Sequence, residues 1–230
     1  MNILALDTAL GACSVSVFDA ATDTVTASES VVMERGHAEV VMPMVSRVME
    51  QSGLTFAELD RVAVTVGPGS YTGIRVGIAA ARGIGLAAAK PVVGVSTLSA
   101  LLAPVMGFAG KGLSAAAIDA RHGFVYFQAV AHGGKPLCPA CYLEVPDARR
   151  IIGAGPVMLC GSGGALVAYD CLTHGIDAQL SDEPDIPNIL WVAKLGAIAN
   201  PKHAPSRPLY LKGADAKPQT RSAVPRRQEH

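Results

Sequence analysis

Residues 113–135 read LSAAAIDARHGFVYFQAVAHGGK, and they echo residues 2–24, NILALDTALGACSVSVFDAATDT. Each segment runs an apolar strand into an aspartate, turns through small residues, and leaves by a strand with alternating apolar positions. Asp7 and Asp119 fall at matching points. Short connections pair such strands antiparallel, because a parallel pair needs a crossover of about a dozen residues. Outward from the first copy, TVTASESVV supplies a third strand, and a helix over residues 36–52 stops at Gly53. The strand RVAVTV then leads into a helix over residues 70–89, and PVVGV is apolar throughout, as a strand buried on both faces should be. The second copy is followed by the strand-like CYLEV, a short polar segment, the strand PVMLC, the loop GSGG, and helices near 165–172 and 188–199. One plan, β-β-β-α-β-α, is used twice. The expectation is an α/β protein with one lobe over 1–100, a second over 101–212, and a polar, basic tail at 213–230 that should be mobile.

Bulk composition narrows the class. Half of the 230 residues are hydrophobic and 17% are charged, which excludes disorder over most of the length. Lys and Arg total 19, as do Asp and Glu, so the whole chain sets up no strong field for a nucleic acid or a membrane surface. MNILALDTALGACSVSV lacks the basic start of a signal peptide, and no apolar run reaches membrane-spanning length. Five cysteines without framework spacing point to a reducing, cytoplasmic setting.

The segment GPGSYTGIRVG, residues 67–77, is the densest glycine cluster. It does not fit the phosphate motifs: Gly67, Gly69 and Gly73 give GxGxxxG, one residue too long for the dinucleotide fingerprint, and no GK[ST] follows. Counting by fours gives Gly69, Gly73, Gly77, Ala81, Gly85 and Ala89, a small-residue ridge on one helix face. Each interior glycine costs about 1 kcal/mol against alanine, and close packing supplies the reason. Spacing alone favours packing on the protein's own core over a partner. In the preceding helix, Ala38, Val41, Met42, Val45, Val48 and Met49 form the expected core stripe, with Val40 and Met44 off it and Pro43 bending it. A second apolar flank can serve another neighbour, internal or on another chain.

Two readings stay open for Asp7 and Asp119: carboxylates facing a central cleft, or caps of their own turns. Likewise GSGG can approach a nucleotide with backbone amides or form a tight turn. Cys138 and Cys141 make a single CxxC without further zinc-ligand spacing, and are read as incidental. His37, His122, His132, His174, His203 and His230 form neither HExxH nor HxxxH, and are read as surface or capping residues. Ser70 lies in no GxSxG elbow.

The chain resembles the TsaB (YeaZ) family of tRNA threonylcarbamoyladenosine biosynthesis proteins, which is paralogous to TsaD. The resemblance is carried by ILALDT, HAEVVMPMVSRVMEQSGL, VTVGPGSYTGIRVGIAAARGIGLA, PVVGVSTLSAL, AIDARHGFVYFQ and PLYLK, and is looser over 135–205. It implies a two-lobed, actin-like or Hsp70-like ATPase fold built from ribonuclease H-like units. It implies a required, non-catalytic scaffold subunit of a cytoplasmic complex. That complex adds a threonylcarbamoyl group to N6 of the adenosine 3′ of the anticodon, in tRNAs reading ANN codons. The implied partners are a TsaD-type transferase, forming a heterodimer, and a TsaE-type P-loop ATPase, with tRNA reached through the complex, no membrane, and a homodimer when alone. TsaD's metal-binding HxxxH falls on Thr97 and Leu101 here, so no metal is implied. No cofactor is expected on the isolated chain, and ATP or ADP is expected near the junction with the partner. The resemblance places the pairing surface on the first two helices and selects Val40, Met44, Arg47, Tyr71, Arg75, Ile78 and Arg82. It leaves Gly67, Gly69, Gly73 and Gly77 to shape the turn and thin the helix. Two enzyme alternatives remain: an ATP-dependent small-molecule kinase of the actin, Hsp70 and sugar-kinase superfamily, and, more weakly, a metallopeptidase-like protein.

Overall fold

A computed structural model describes residues 1–106 and 112–212, so the expected mobile tail lies outside the described residues. The first sheet holds β1 (Asn2–Asp7), β2 (Ala12–Asp19), β3 (Thr24–Val32), β4 (Arg61–Thr65) and β5 (Val92–Val95), in the order β3-β2-β1-β4-β5. The second holds β6 (Leu113–Asp119), β7 (Phe124–Val130), β8 (Pro136–Glu144), β9 (Val157–Cys160) and β10 (Ala178–Leu180), in the equivalent order β8-β7-β6-β9-β10. In both, the first hairpin is antiparallel and the later strands are parallel to the first. The duplicated plan therefore holds strand for strand.

Helices α1 (His37–Ser52) and α2 (Tyr71–Ala87) cover one face of the first sheet. Left-handed Gly36 and Gly53, at φ 89° and 69°, bracket α1. The buried stripe of α1 is Val41, Met44, Val45, Val48 and Met49. Met44 therefore belongs to the core, three residues after Val41 and four before Val48, while Ala38 and Met42 face solvent. Helices α4 (Val145–Ile152) and α5 (Gly164–Thr173) cover the matching face of the second sheet.

The opposite faces are covered by exchange. Helix α3 (Thr97–Leu102), which follows the first sheet in sequence, packs on β6 and β7 of the second. Helix α6 (Ile189–Ile198), which follows the second sheet, packs on β1, β2, β4 and β5 of the first. Its Val192 and Ala193 bury Ile3, Ala5, Phe18 and Val93. The Arg61 guanidinium donates to the carbonyls of Gly196, Ala197 and Ala199, closing the helix end whose dipole favours a cation. Packing thus departs from the chain-order division at residue 100, since α6 lies within 101–212 yet completes the first lobe. Among the described residues, no helix is long and apolar enough to cross a membrane.

Candidate functional site

Asp7 and Asp119 end β1 and β6, and each caps the turn that follows. The Ala9 amide donates to Asp7 Oδ1 at 3.0 Å, and the Arg121 amide to Asp119 Oδ1 at 2.8 Å. Asp7 is fully buried and caps its turn, so of its two readings the structure shows the cap. Its Oδ1 also accepts from the Thr65 hydroxyl at 2.6 Å, while Oδ2 has no partner among the described residues. Burial pushes the Asp7 carboxyl up to about 6, against the lowering pull of Thr65, the Ala9 amide and His37. Asp119 is more open and pairs with the Arg121 guanidinium at 3.5 Å.

The two glycine loops close onto these turns. A Cβ on Gly69 would strike the Ala9 carbonyl, one on Gly73 the Thr8 carbonyl, and one on Gly77 the Thr8 side chain. Gly67 takes φ +105°, and a side chain there would press on Ile74 and the Leu209 carbonyl. In the second lobe, Gly161 lies against the Ala117 carbonyl and Gly163 against the Asp119 amide. Four amides of these loops are engaged internally: Ser70 donates to the Ala9 carbonyl, Gly73 to Ser70 Oγ, Gly163 to the Ala117 carbonyl and Gly164 to the Gly161 carbonyl. A phosphate cradle needs such amides pointing at the ligand.

Thr97 and Leu101, the positions of the absent histidines, are buried, Leu101 in the apolar cluster between α3 and β6. Among the described residues, no cluster of three or more His, Cys, Asp or Glu side chains is placed to hold a metal ion. Cys138 and Cys141 lie on the edge strand β8 with sulfurs 3.5 Å apart. His37, read as a surface or capping residue, is buried at the start of α1, and its Nε2 has no partner among the described residues.

The outer face of α1 and α2 presents a different chemistry. A groove of about 390 Å³ is lined by Met42, Phe56, Gly83, Ile84, Ala87 and Ala88. Met42 is 44% and Leu86 86% exposed, and nothing lies within 4 Å of a Cβ built on Gly83. Of the residues selected for pairing, Met44 and Ile78 are corrected to core positions, Ile78 one turn beyond buried Ile74 on the sheet-facing side. Val40 is half-buried against the first core. Arg47 is exposed but clasps Glu29 on β3 with two hydrogen bonds, and Arg82 donates to Ser206. Tyr71 and Arg75 stack with Tyr210 at the N-terminal end of α2. Exposed Met42, Gly83 and Leu86 on this face were not among the selected residues. Helical spacing carried their exposure: Met42 and Gly83 fall between buried positions, and Leu86 follows the last buried position of α2.

Two mixed sheets built on one plan, with a helix exchanged between them, define an actin-like two-lobed α/β fold. The ROK hexokinase of Thermus thermophilus shares it, with a TM-score of 0.50 and 16% identity over 86% of this chain and 99% of that one. A family model described as TsaD, tRNA N6-adenosine threonylcarbamoyltransferase, matches residues 26–156. YeaZ from Pseudomonas aeruginosa superposes with a TM-score of 0.71 and 26% identity, over 91% of this chain and 99% of that one. The tRNA threonylcarbamoyladenosine biosynthesis protein TsaB of Escherichia coli is 39% identical over 127 residues; the match takes in 55% of this chain and 54% of that protein, so it spans about half the length of each. An uncharacterized protein of Mycobacterium tuberculosis is 34% identical over 94% of both chains. The chain belongs to the TsaB (YeaZ) family, within the wider group that the TsaD model describes.

Proposed function

We propose that this chain works in tRNA threonylcarbamoyladenosine synthesis as a non-catalytic scaffold. It binds and activates a TsaD-type transferase, which places the threonylcarbamoyl group on N6 of the adenosine 3′ of the anticodon in tRNAs reading ANN codons. Family membership supports the pathway. The apolar groove on the outer face of α1 and α2 carries the scaffold reading, since its floor of Gly83, Ala87 and Ala88 lets another helix approach closely. A TsaE-type ATPase joins the same assembly, any ATP or ADP sits at the junction with the transferase, and the free chain pairs with a second copy through the same groove. The internally engaged amides of both glycine loops speak against the kinase alternative.

Titration of the chain with its cognate transferase tests this. The expected result is a one-to-one complex, weakened at least about tenfold by Met42→Asp or Leu86→Glu, because a buried unpaired charge costs several kcal/mol. Both side chains are exposed, so unfolding midpoints should stay put. Unchanged affinity in both variants removes the groove model. In reconstitution with transferase, TsaE and the adenylate-forming enzyme, tRNA modification should depend on this chain.

A further inference from the structure

After α6 the chain returns across the first lobe. The Ala204 carbonyl accepts from Gly94, and the Leu209 amide donates to Val66, so the segment lies along the ends of β4 and β5. Leu211 packs against the apolar cluster of α3 and β6, and its neighbours Tyr210 and Lys212 reach rings of the two lobes.

Tyr210 stacks on Tyr71 with ring centroids 6.1 Å apart and planes 25° from parallel. The Arg75 guanidinium lies 3.3 Å from the Tyr71 centroid and 5.5 Å from that of Tyr210. These rings are 65% and 52% exposed. Lys212 Nζ lies 5.7 Å from the Tyr142 centroid, and Tyr142 stacks on Phe124 at 4.9 Å, with planes 5° apart. Two residues of extended chain span at most about 7 Å. One short segment therefore joins a stacked pair on the first lobe to a stacked pair on the second, with a cation at each.

Stacked aromatic rings are normally buried for their apolar area, and here the rings of the first pair stand in water. Exposed rings with a guanidinium over one face suit unpaired nucleobases: a base stacks on a ring or on the guanidinium plane, and its phosphate meets a cation. The sequence beyond Lys212 continues this charge, with Lys217, Arg221, Arg226 and Arg227 against Asp215 and Glu229. The chain as a whole is neutral, so recognition here is by stacking and local charge instead of a long-range field.

We propose that Tyr71, Arg75, Tyr210 and the Tyr142–Phe124 pair form a stacking platform for single-stranded RNA. The reading under Proposed function enters only in naming the natural ligand, which would be an unpaired stretch of the tRNA. The platform sits apart from the partner groove: Tyr71 and Gly83 are twelve residues apart on α2, about 18 Å along the axis.

The test is fluorescence anisotropy of the full chain with a labelled single-stranded RNA of about 12 nucleotides, within the usual range of site sizes. The same sequence as a duplex serves as comparison. The wild type should prefer the single strand. Tyr71→Ala and Tyr210→Ala should each weaken binding about 5- to 100-fold, while Tyr210→Phe, which keeps the ring, should stay within about twofold. Melting temperatures should match across the set. The proposal falls if single-stranded RNA is not bound at up to about 100 µM protein, the weak end of non-specific nucleic-acid binding. It also falls if the alanine variants bind RNA like the wild type. If those variants lose transferase capture with RNA binding unchanged, the rings serve a protein contact and the proposal is overturned. The RNA measurement uses this chain alone, so it stays readable if no transferase complex forms.

Discussion

Asp7 and Asp119 occupy equivalent turns, yet only the first is sealed from water. Burial raises the Asp7 pKa from 3.8 to about 6, so the folded state holds its proton more tightly than the unfolded chain does. The stabilising contribution is full below about pH 4 and is lost as pH rises towards 6. Above that the ionised form costs about 3 kcal/mol. Asp7→Asn keeps an oxygen for Ala9 and Thr65 and carries no charge. Its urea midpoint should exceed the wild-type value at pH 8, with the difference shrinking to near zero at pH 4; equal midpoints at both pH values would contradict this account. In sequence, the cleft and capping roles of Asp7 could not be separated, because its burial depends on Thr65, 58 residues away. Met44 and Met42 were exchanged for a different reason. Both are apolar and two positions apart, so the assignment turned on where the α1 stripe was phased.

Helix α2 carries small residues on two faces with opposite consequences. On the inner face, a methyl at Gly73 meets the Thr8 backbone, which cannot move without shifting the turn beside Asp7. Gly73→Ala should therefore destabilise by about 1–3 kcal/mol. On the outer face, Gly83→Ala meets open space and should stabilise by about 1 kcal/mol through helix propensity. Denaturant unfolding of the two variants separates the faces, and the same sign of change in both would refute it. The inner ridge was legible because its period of four is long and unbroken. Short elements were not: α3 has six residues and β10 three, too few for a period to emerge. For α4, Val145 continued the run CYLEV and hid a helix start with Pro146 in its first turn. Strand β8 begins five residues before that run, across Pro136 and Pro139, which an edge strand tolerates because one row of its backbone groups is unpaired.

Over the whole molecule, the repeated strand order was visible in the sequence because both copies kept the apolar strand, the aspartate and the alternating return strand. The exchange of α3 and α6 was not, since a helix pattern states which of its faces is apolar and leaves open which sheet it meets. The exchange predicts that neither half stands alone. A fragment of residues 1–100 lacks α6 and leaves Ile3, Ala5, Phe18, Val93 and Val95 uncovered. A fragment of 101–212 has lost most of α3, which covers Ala116 and Ile118. Expressed separately, both should give aggregated or unstructured chains by circular dichroism, while co-expression should recover native signal; independent folding of either would disprove the interdependence. Helices α3 and α6 also touch each other. Drawing the lobes directly apart would peel apolar side chains off both sheets at once, whereas a twist about this helix pair keeps them covered. On this packing, rotation about the α3–α6 pair is the relative motion of the halves that exposes the least apolar surface.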